Sequence, residues 1–361
     1  MTMTLTTSPA KKVSSTGTQL PRGSALQALL GLSDADEAVL DVVHQVLTHP
    51  VEHFLNRPGK GLRAEAVQVA FLLLQDSSLL SVAEGEQCRV ASDILELIHA
   101  GSLVVDDIED NSDVRRGEPT LHKQFGLPVA LNAGNWLYFF PFERLRELKL
   151  SSRRELRVYQ ECHRTLLRAH YGQALDVGAQ LAKLPQRDVY AVCRAAIELK
   201  SGALMQLAFQ LGGLLALDQI LGDTDAPDEA EARVRALGAF GFRFGTCLQM
   251  LNDIGNLTSD ANGTKQKEDL RLQRPSWLWA IAARHLDADR YRDFLHMVDG
   301  AVHSKGVDAF IHMSGITQTA RHTALDELEA AFDELSNAFS DQIATLQPID
   351  NLIRKLTRAY E

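Results

Sequence analysis

The sequence predicts an all-α fold, and three observations carry that expectation. Apolar residues recur at helical spacing through nearly all of the chain after a polar first stretch. No convincing train of alternating strands interrupts them. The 361 residues are 45% hydrophobic and 23% charged, enough to bury a sizeable core and too apolar for global disorder. That length is long for one domain, but a large helical bundle can hold it, so residues 25–361 are expected to form one. Residues 1–24 are rich in Ser and Thr, carry Lys11, Lys12 and Arg22, and precede the first acid, Asp34. A transit peptide shares that composition, but no Arg-rich amphipathic pattern supports one, and a disordered tail is expected.

A formal charge of −10 argues against a general nucleic-acid or anionic-membrane binder. It leaves room for an anionic small substrate, because a divalent metal inverts the local field. Cys88, Cys162, Cys193 and Cys247 are far apart with no CxxC pair, and read as reduced core thiols of a cytoplasmic protein. The most apolar run, Ala203 to Leu217, is interrupted by Gln206, Gln210 and two glycines. It is too short for a membrane span and reads as a buried helix.

In chain order, Ala35 to Leu47 patterns as a helix, and Pro50 and Pro58 bracket a break. The loop Arg57-Pro58-Gly59-Lys60-Gly61-Leu62-Arg63 follows, its glycines freeing the backbone to approach a ligand. Lys60 and Arg63 stand at the start of the helix Ala64 to Leu74, where amide donors and the dipole also favour an anion. The same features serve an ordinary helix start.

The stretch Glu96 to Gly117 organises the chain. Apolar helical residues run into Asp106, Asp107, Glu109 and Asp110. Asp106 and Asp110, four apart, project from one helical face. Four acids in five residues repel one another unless cations are bound, and hard oxygen ligands suit Mg²⁺. Arg115 and Arg116 follow, suited to phosphate oxygens, so the stretch points to a metal-bridged diphosphate. A solvated helix end with a turn after it is the alternative. His99, two turns before Asp106, either shares the acidic face or is a satisfied core histidine.

After a loop marked by Pro119 and Gly126, helical patterns resume near Ala130 and again over Arg153 to Leu181, where Gln173 and Asp176 form a polar pair. The helix Val189 to Leu217 carries Lys200, either snorkelling or aimed at a buried anion. Asp218 to Glu231, with Pro227, reads as an exposed loop. A second candidate site runs from Gly245 through Gln249, Asn252, Asp253, Asn256 and Asp260, with Asn252, Asn256 and Asp260 on one stripe. A basic cluster of Lys265, Lys267 and Arg274, with Asp269 among them, comes next. Amphipathic helices from Trp277 to Glu361 show no evident chemistry.

Together these residues resemble the trans-isoprenyl diphosphate synthases, also called polyprenyl synthetases, over roughly Gln45 to Ala283. The family's GGKxxRP loop corresponds to Pro58-Gly59-Lys60-Gly61-Leu62-Arg63-Ala64, and its DDxxD motif to Asp106-Asp107-Ile108-Glu109-Asp110. The RRG element is intact at Arg115-Arg116-Gly117, GQxxD at Gly172-Gln173 with Asp176, and the Lys-Thr pair is Lys200-Ser201. Gly245 and Gln249 match the G…Q element, and Lys265 and Asp269 the GK…D element. The resemblance implies an isoprenoid-synthase-type helical bundle around a deep apolar cavity, and a homodimer. It implies that Asp106, Asp107 and Asp110, with Asn252, Asp253 and Asn256, bind Mg²⁺. Arg115, Lys200 and Lys265 would contact the allylic diphosphate, with Gln173, Gln249 and Arg274 nearby. Gly59, Lys60, Arg63, His99 and Arg116 would hold isopentenyl diphosphate.

Three departures stand out. The second DDxxD motif is Asn252-Asp253-Ile254-Gly255-Asn256, so two carboxylates have become neutral amides and a weaker metal site is expected. Asn135 follows Gly134 where the family commonly has Asp. Arg274, beside Pro275, replaces the usual lysine. The stripe Asn252-Asp253…Asn256…Asp260 also looks like the metal motif of class I terpene cyclases, which ionise an allylic diphosphate without a second diphosphate pocket. The retained second pocket favours chain elongation; a regulatory subunit that redirects a partner synthase is a third reading. In this family the residues four and five before the first motif shape the tunnel floor. Here they are Ser102 and Gly101, both small, which points to a twenty-carbon product, geranylgeranyl diphosphate, or a longer one.

Overall fold

The computed structural model describes residues 20–31, 37–59, 61–75, 80–258, 270, 272–301, 305–340, 346–358 and 360. The all-α expectation holds: helices dominate, and the one sheet among the described residues is a two-stranded ladder. Two compact units form, one from residues 1–62 and 92–144, the other from 63–91 and 145–361.

In the first unit, helices Gly23–Leu30, Glu37–Val43, His49–Leu55, Leu121–Phe125 and Leu127–Arg144 join the Val82–Glu109 helix from Ser92 onward. Most of the expected tail lies outside the described residues, but its last part is ordered. Leu20 is buried in this unit's core, Arg22 pairs with Glu52, and a helix begins at Gly23. The core gathers Val51, Phe54, Leu97, Val104, Leu121 and Leu137. Pro50 does not break the chain. A π turn, His44–Thr48, leads into the His49–Leu55 helix, whose first turn tolerates a residue without an N–H. Gly101 and Gly134 bring two helices together. A Cβ on Gly101 would lie 2.9 Å from Leu137 Cβ, and one on Gly134 would lie 2.9 Å from Val105 Cγ2.

The second unit is built around the Ala203–Leu221 helix, whose residues Leu211 to Leu217 are all buried. Phe209 meets Phe240 and Phe244 of the Asp228–Thr258 helix edge-on, at 5.3 and 6.4 Å between centroids. Glycines set these contacts too: a Cβ on Gly212 would lie 2.2 Å from the Val67 carbonyl, and one on Gly245 2.5 Å from the Ser201 carbonyl. The stretch Gln186–Leu221 is long and apolar enough to cross a membrane, yet 61% of its most apolar window is buried inside the protein, as a core helix requires. The expected loop Asp218–Glu231 shrinks to residues 222–227. Asp218 ends the preceding helix's buried side, accepting from the Ser151 N–H at 3.1 Å. All four cysteines are buried thiols, and burial pushes Cys88, Cys162 and Cys247 up to about 12.

Candidate active site

The Val82–Glu109 helix delivers the acidic cluster at its last turn. The Asp110 N–H donates to the Asp106 carbonyl at 2.9 Å, so their side chains share a face as the spacing predicts. The helix closes in a Schellman motif with Asn111 at the left-handed position, φ 51°. Ser112 N–H bonds to the Asp107 carbonyl and Asn111 N–H to that of Ile108, at 2.9 and 3.1 Å. Acids at a helix C-terminus add to its partial negative charge, so this end calls for a cation.

Arg115 supplies one. Its Nε donates to Asp107 Oδ1 at 2.7 Å and its Nη2 to Asp106 Oδ2 at 3.0 Å. Burial alone would lower this guanidinium, but Asp107 and Asp106 hold it above its ordinary value. Arg115, expected to face a diphosphate, is thus committed to two carboxylates. Asp107, expected to ligate metal, is buried against that arginine.

The RRG element is a hairpin tip. Val114–Arg115 pairs with Glu118–Pro119, and the two connecting residues, Arg116 and Gly117, have φ of 56° and 84°. Those signs make a type I′ turn, which favours glycine at its second position. Arg57, which had no assigned role, anchors the hairpin from within the unit. It is 1% exposed and donates to the carbonyls of Arg115 at 3.2 Å and Pro119 at 2.8 Å. Arg116 in turn donates to the Arg57 carbonyl at 3.4 Å. The signal available in the sequence was only an arginine just before the Pro58-Gly59 turn.

In the second unit, Lys200 sits in a π turn, Glu198–Gly202, between two α-helices. Its Nζ pairs with Asp176, and Arg274 Nη1 donates to the Asp176 carbonyl at 2.9 Å. Gly172 makes this possible: a Cβ there would lie 2.9 Å from Lys200 Cγ. The structure therefore brings Lys200, Arg274 and Asp176 together, with half-buried Gln173 on the helix that carries Asp176.

Gln249 and Asp253 form a hydrogen-bonded relay from Ser201 to Trp277. Ser201 Oγ donates to Gln249 Oε1 at 3.0 Å, and Gln249 Nε2 donates to Asp253 Oδ1 at 2.7 Å. The other carboxylate oxygen accepts the Trp277 N–H at 2.8 Å. Asp253 is 5% exposed with both oxygens engaged by protein donors. Burial pushes its carboxyl up to about 7, although the Trp277 and Gln249 donors pull the other way. Asn252 and Asn256 are half-buried, and Asn252 Oδ1 accepts from Tyr360 Oη at 3.3 Å.

Other expected residues fall as follows. His99 is half-buried, and its carbonyl accepts Ser102 Oγ at 2.8 Å. Gly59 is half-buried in the first unit; Arg63 lies in the first turn of the Leu62–Gln75 helix in the second. Lys60, Asp260, Lys265, Lys267 and Asp269 lie outside the described residues.

The donor set fits a hard divalent cation. Among the described residues no three His, Cys, Asp or Glu side chains form a closed cage. Mg²⁺ needs none, since it keeps several waters and takes one or two carboxylates plus substrate phosphate. Asp106 already draws a guanidinium, and half-buried Asp110 follows it one turn on.

The sequence pattern of the polyprenyl synthetase family matches residues 44–309. A geranylgeranyl pyrophosphate synthase of Aspergillus flavus is 31% identical over 217 residues, 60% of this chain and 55% of that protein. A short chain isoprenyl diphosphate synthase of Methanocaldococcus jannaschii is 28% identical over 249 residues, 68% of this chain and 69% of that protein. The matches to the Aspergillus flavus protein and to a similarly named one of Metarhizium anisopliae span about half of those relatives' lengths. Among solved structures, geranylgeranyl pyrophosphate synthetase from Pyrococcus horikoshii superposes with a TM-score of 0.67 at 23% identity, over 84% of this chain and 89% of that one. A decaprenyl diphosphate synthase from Rhodobacter capsulatus gives 0.69 at 19% identity, over 94% and 96%. At these identities the likeness is one of fold.

Proposed function

Because the chain belongs to the polyprenyl synthetase family, whose pattern covers residues 44–309, we propose that it is a trans-prenyltransferase. It joins isopentenyl diphosphate to an allylic prenyl diphosphate and releases a longer prenyl diphosphate, geranylgeranyl diphosphate. The observation that carries this reading is the acid–arginine constellation at the end of the Val82–Glu109 helix, held by a hairpin whose tip is the RRG element. Small residues at Gly101 and Ser102 and the names of the Aspergillus flavus and Metarhizium anisopliae relatives support the product assignment.

The reaction has three steps: the allylic carbon loses diphosphate, the isopentenyl double bond attacks the resulting cation, and a proton leaves. By the family resemblance, Asp106 and Asp110 of the first unit would hold Mg²⁺, and Asn252 and Asn256 of the second would be weaker oxygen donors to a cation. A bound Mg²⁺ neutralises charge on the departing diphosphate. Lys200 and Arg274 would add fixed positive charge where negative charge develops, with Gln173 and Gln249 near the same diphosphate. Gly59, Lys60, Arg63, His99 and Arg116 hold the isopentenyl diphosphate. Arg115 holds the Asp106 carboxylate in place and keeps Asp107 buried behind it. We also propose a cytoplasmic homodimer; exposed Leu131 and Phe139, eight residues apart on the Leu127–Arg144 helix, support association between copies.

The test offers geranyl, farnesyl or geranylgeranyl diphosphate with Mg²⁺, with and without isopentenyl diphosphate, and identifies products by mass spectrometry. Elongated diphosphates only when isopentenyl diphosphate is present are expected. Hydrocarbon or alcohol from one allylic substrate alone would point to a cyclase instead. No turnover by the pure protein, with altered products when a partner synthase is added, would point to a regulatory subunit.

A further inference from the structure

The face of the Asp228–Thr258 helix that carries Asn252, Gly255 and Asn256 is covered by a residue from another part of the same unit. Tyr360 is held there at three points. Its Oη donates to Asn252 Oδ1 at 3.3 Å. Its ring lies on Gly255, where a Cβ would sit 3.3 Å from Tyr360 Cδ1. Its carbonyl accepts Arg321 Nη1 at 2.9 Å, from the Ile316–Ala338 helix.

The chemistry of position 252 gives this contact its meaning. A dication binds a carboxylate through full Coulomb attraction, which a neutral phenol cannot match as a competitor. A neutral amide oxygen offers the dication far less, so phenol and cation compete for it on more even terms. The departure at Asn252 thus belongs with the tyrosine whose hydroxyl meets it and whose ring lies on Gly255. Gly255, between the two amides, is what gives that ring room.

We propose that Tyr360 is a specificity-determining cap on the second oxygen-donor motif. Its hydroxyl engages Asn252 Oδ1 and so competes with a divalent cation, arriving with a pyrophosphate group, for that oxygen. The inference rests on the prenyltransferase reading, because that reading assigns a cation to this stripe.

The experiment titrates Mn²⁺ into the full chain with inorganic pyrophosphate and no prenyl substrate, following bound metal by electron paramagnetic resonance. Tyr360→Ala is expected to lower the half-saturating Mn²⁺ about three- to tenfold, the equivalent of one neutral hydrogen bond no longer in competition. Tyr360→Phe, which loses the same hydroxyl but keeps the ring, should lower it by a similar factor. Gly255→Ala keeps Tyr360 and its Arg321 contact but crowds the ring, and should also tighten binding. Wild type that binds Mn²⁺ together with variants that bind it no more tightly would overturn this inference alone. Absence of Mn²⁺ binding in every form would overturn it together with the metal assignment beneath it.

Discussion

Asp253 Oδ2 accepts the main-chain N–H of Trp277 at 2.8 Å, tying one long helix to the first residue of another. The first-turn N–H groups of a helix have no partner within it, and a carboxylate there also meets the positive end of the dipole. Through Gln249 the same carboxyl reaches Ser201, next to Lys200. Asp253→Ala should therefore leave buried donors unsatisfied and cost about 1–3 kcal/mol in urea denaturation. The Mg²⁺ concentration for half activity should stay unchanged. A large rise in that concentration would show that Asp253 is a metal ligand after all.

The amides beside it make the opposite prediction. Asn252→Asp and Asn256→Asp restore charge to a stripe that has lost it, and should lower the Mg²⁺ needed for half activity. An unchanged requirement would mean these positions do not face the cation.

Arg57 positions the hairpin that carries Arg115 and Arg116. Arg57→Ala removes charged donors from two carbonyls and should destabilise the protein by ~2–3 kcal/mol. Arg57→Lys retains the charge but not the planar fork, and should recover only part of that loss. Equal stability of all three forms in thermal melts would refute the anchoring role.

Gly101 and Ser102 separate packing from product length. Gly101→Ala puts a methyl 2.9 Å from Leu137 Cβ and should cost about 1–3 kcal/mol by overpacking. Ser102→Phe places a ring one turn before Asp106 and should shorten the main product, read by mass spectrometry. An unaltered product profile would place the tunnel floor elsewhere.

His122 makes stability depend on pH. Both ring nitrogens are buried without hydrogen-bond partners among the described residues. Burial and then Lys123 lower its pKa below the ordinary 6.5, against the pull of Asp107 and Asp113. Protonation thus favours the unfolded chain, so the His122 contribution is complete above pH 6.5 and is lost as pH falls below it. His122→Phe should remove that part of the slope of unfolding free energy between pH 7 and pH 5. A slope identical to wild type would exclude it.

The sequence patterns located the helix bearing Asp106 and Asp110, because one-turn spacing and apolar periodicity are local properties of a chain; they left open what Lys200 meets, because Asp176 lies 24 residues away. They misplaced Pro50, which the first turn of the His49–Leu55 helix accommodates, and ended the tail too late, because Leu20 finds its apolar partners only in the folded core. They did not single out Arg57, whose two carbonyl acceptors lie 58 and 62 residues further along. Nor did they reveal Tyr360, whose hydroxyl meets Asn252 across 108 positions.

By itself, the sequence determined the helical class, the oxygen-rich and basic residues of the candidate site, and the family, since those follow from composition, period and order along the chain. Only the tertiary structure decided how deeply each of those side chains is buried and which protein donors it meets. Asp107 and Asp253 carry the same carboxyl as Asp106, yet folding gives them buried protein donors. A buried carboxylate must satisfy its oxygens wherever donors happen to converge, and that convergence is set by packing.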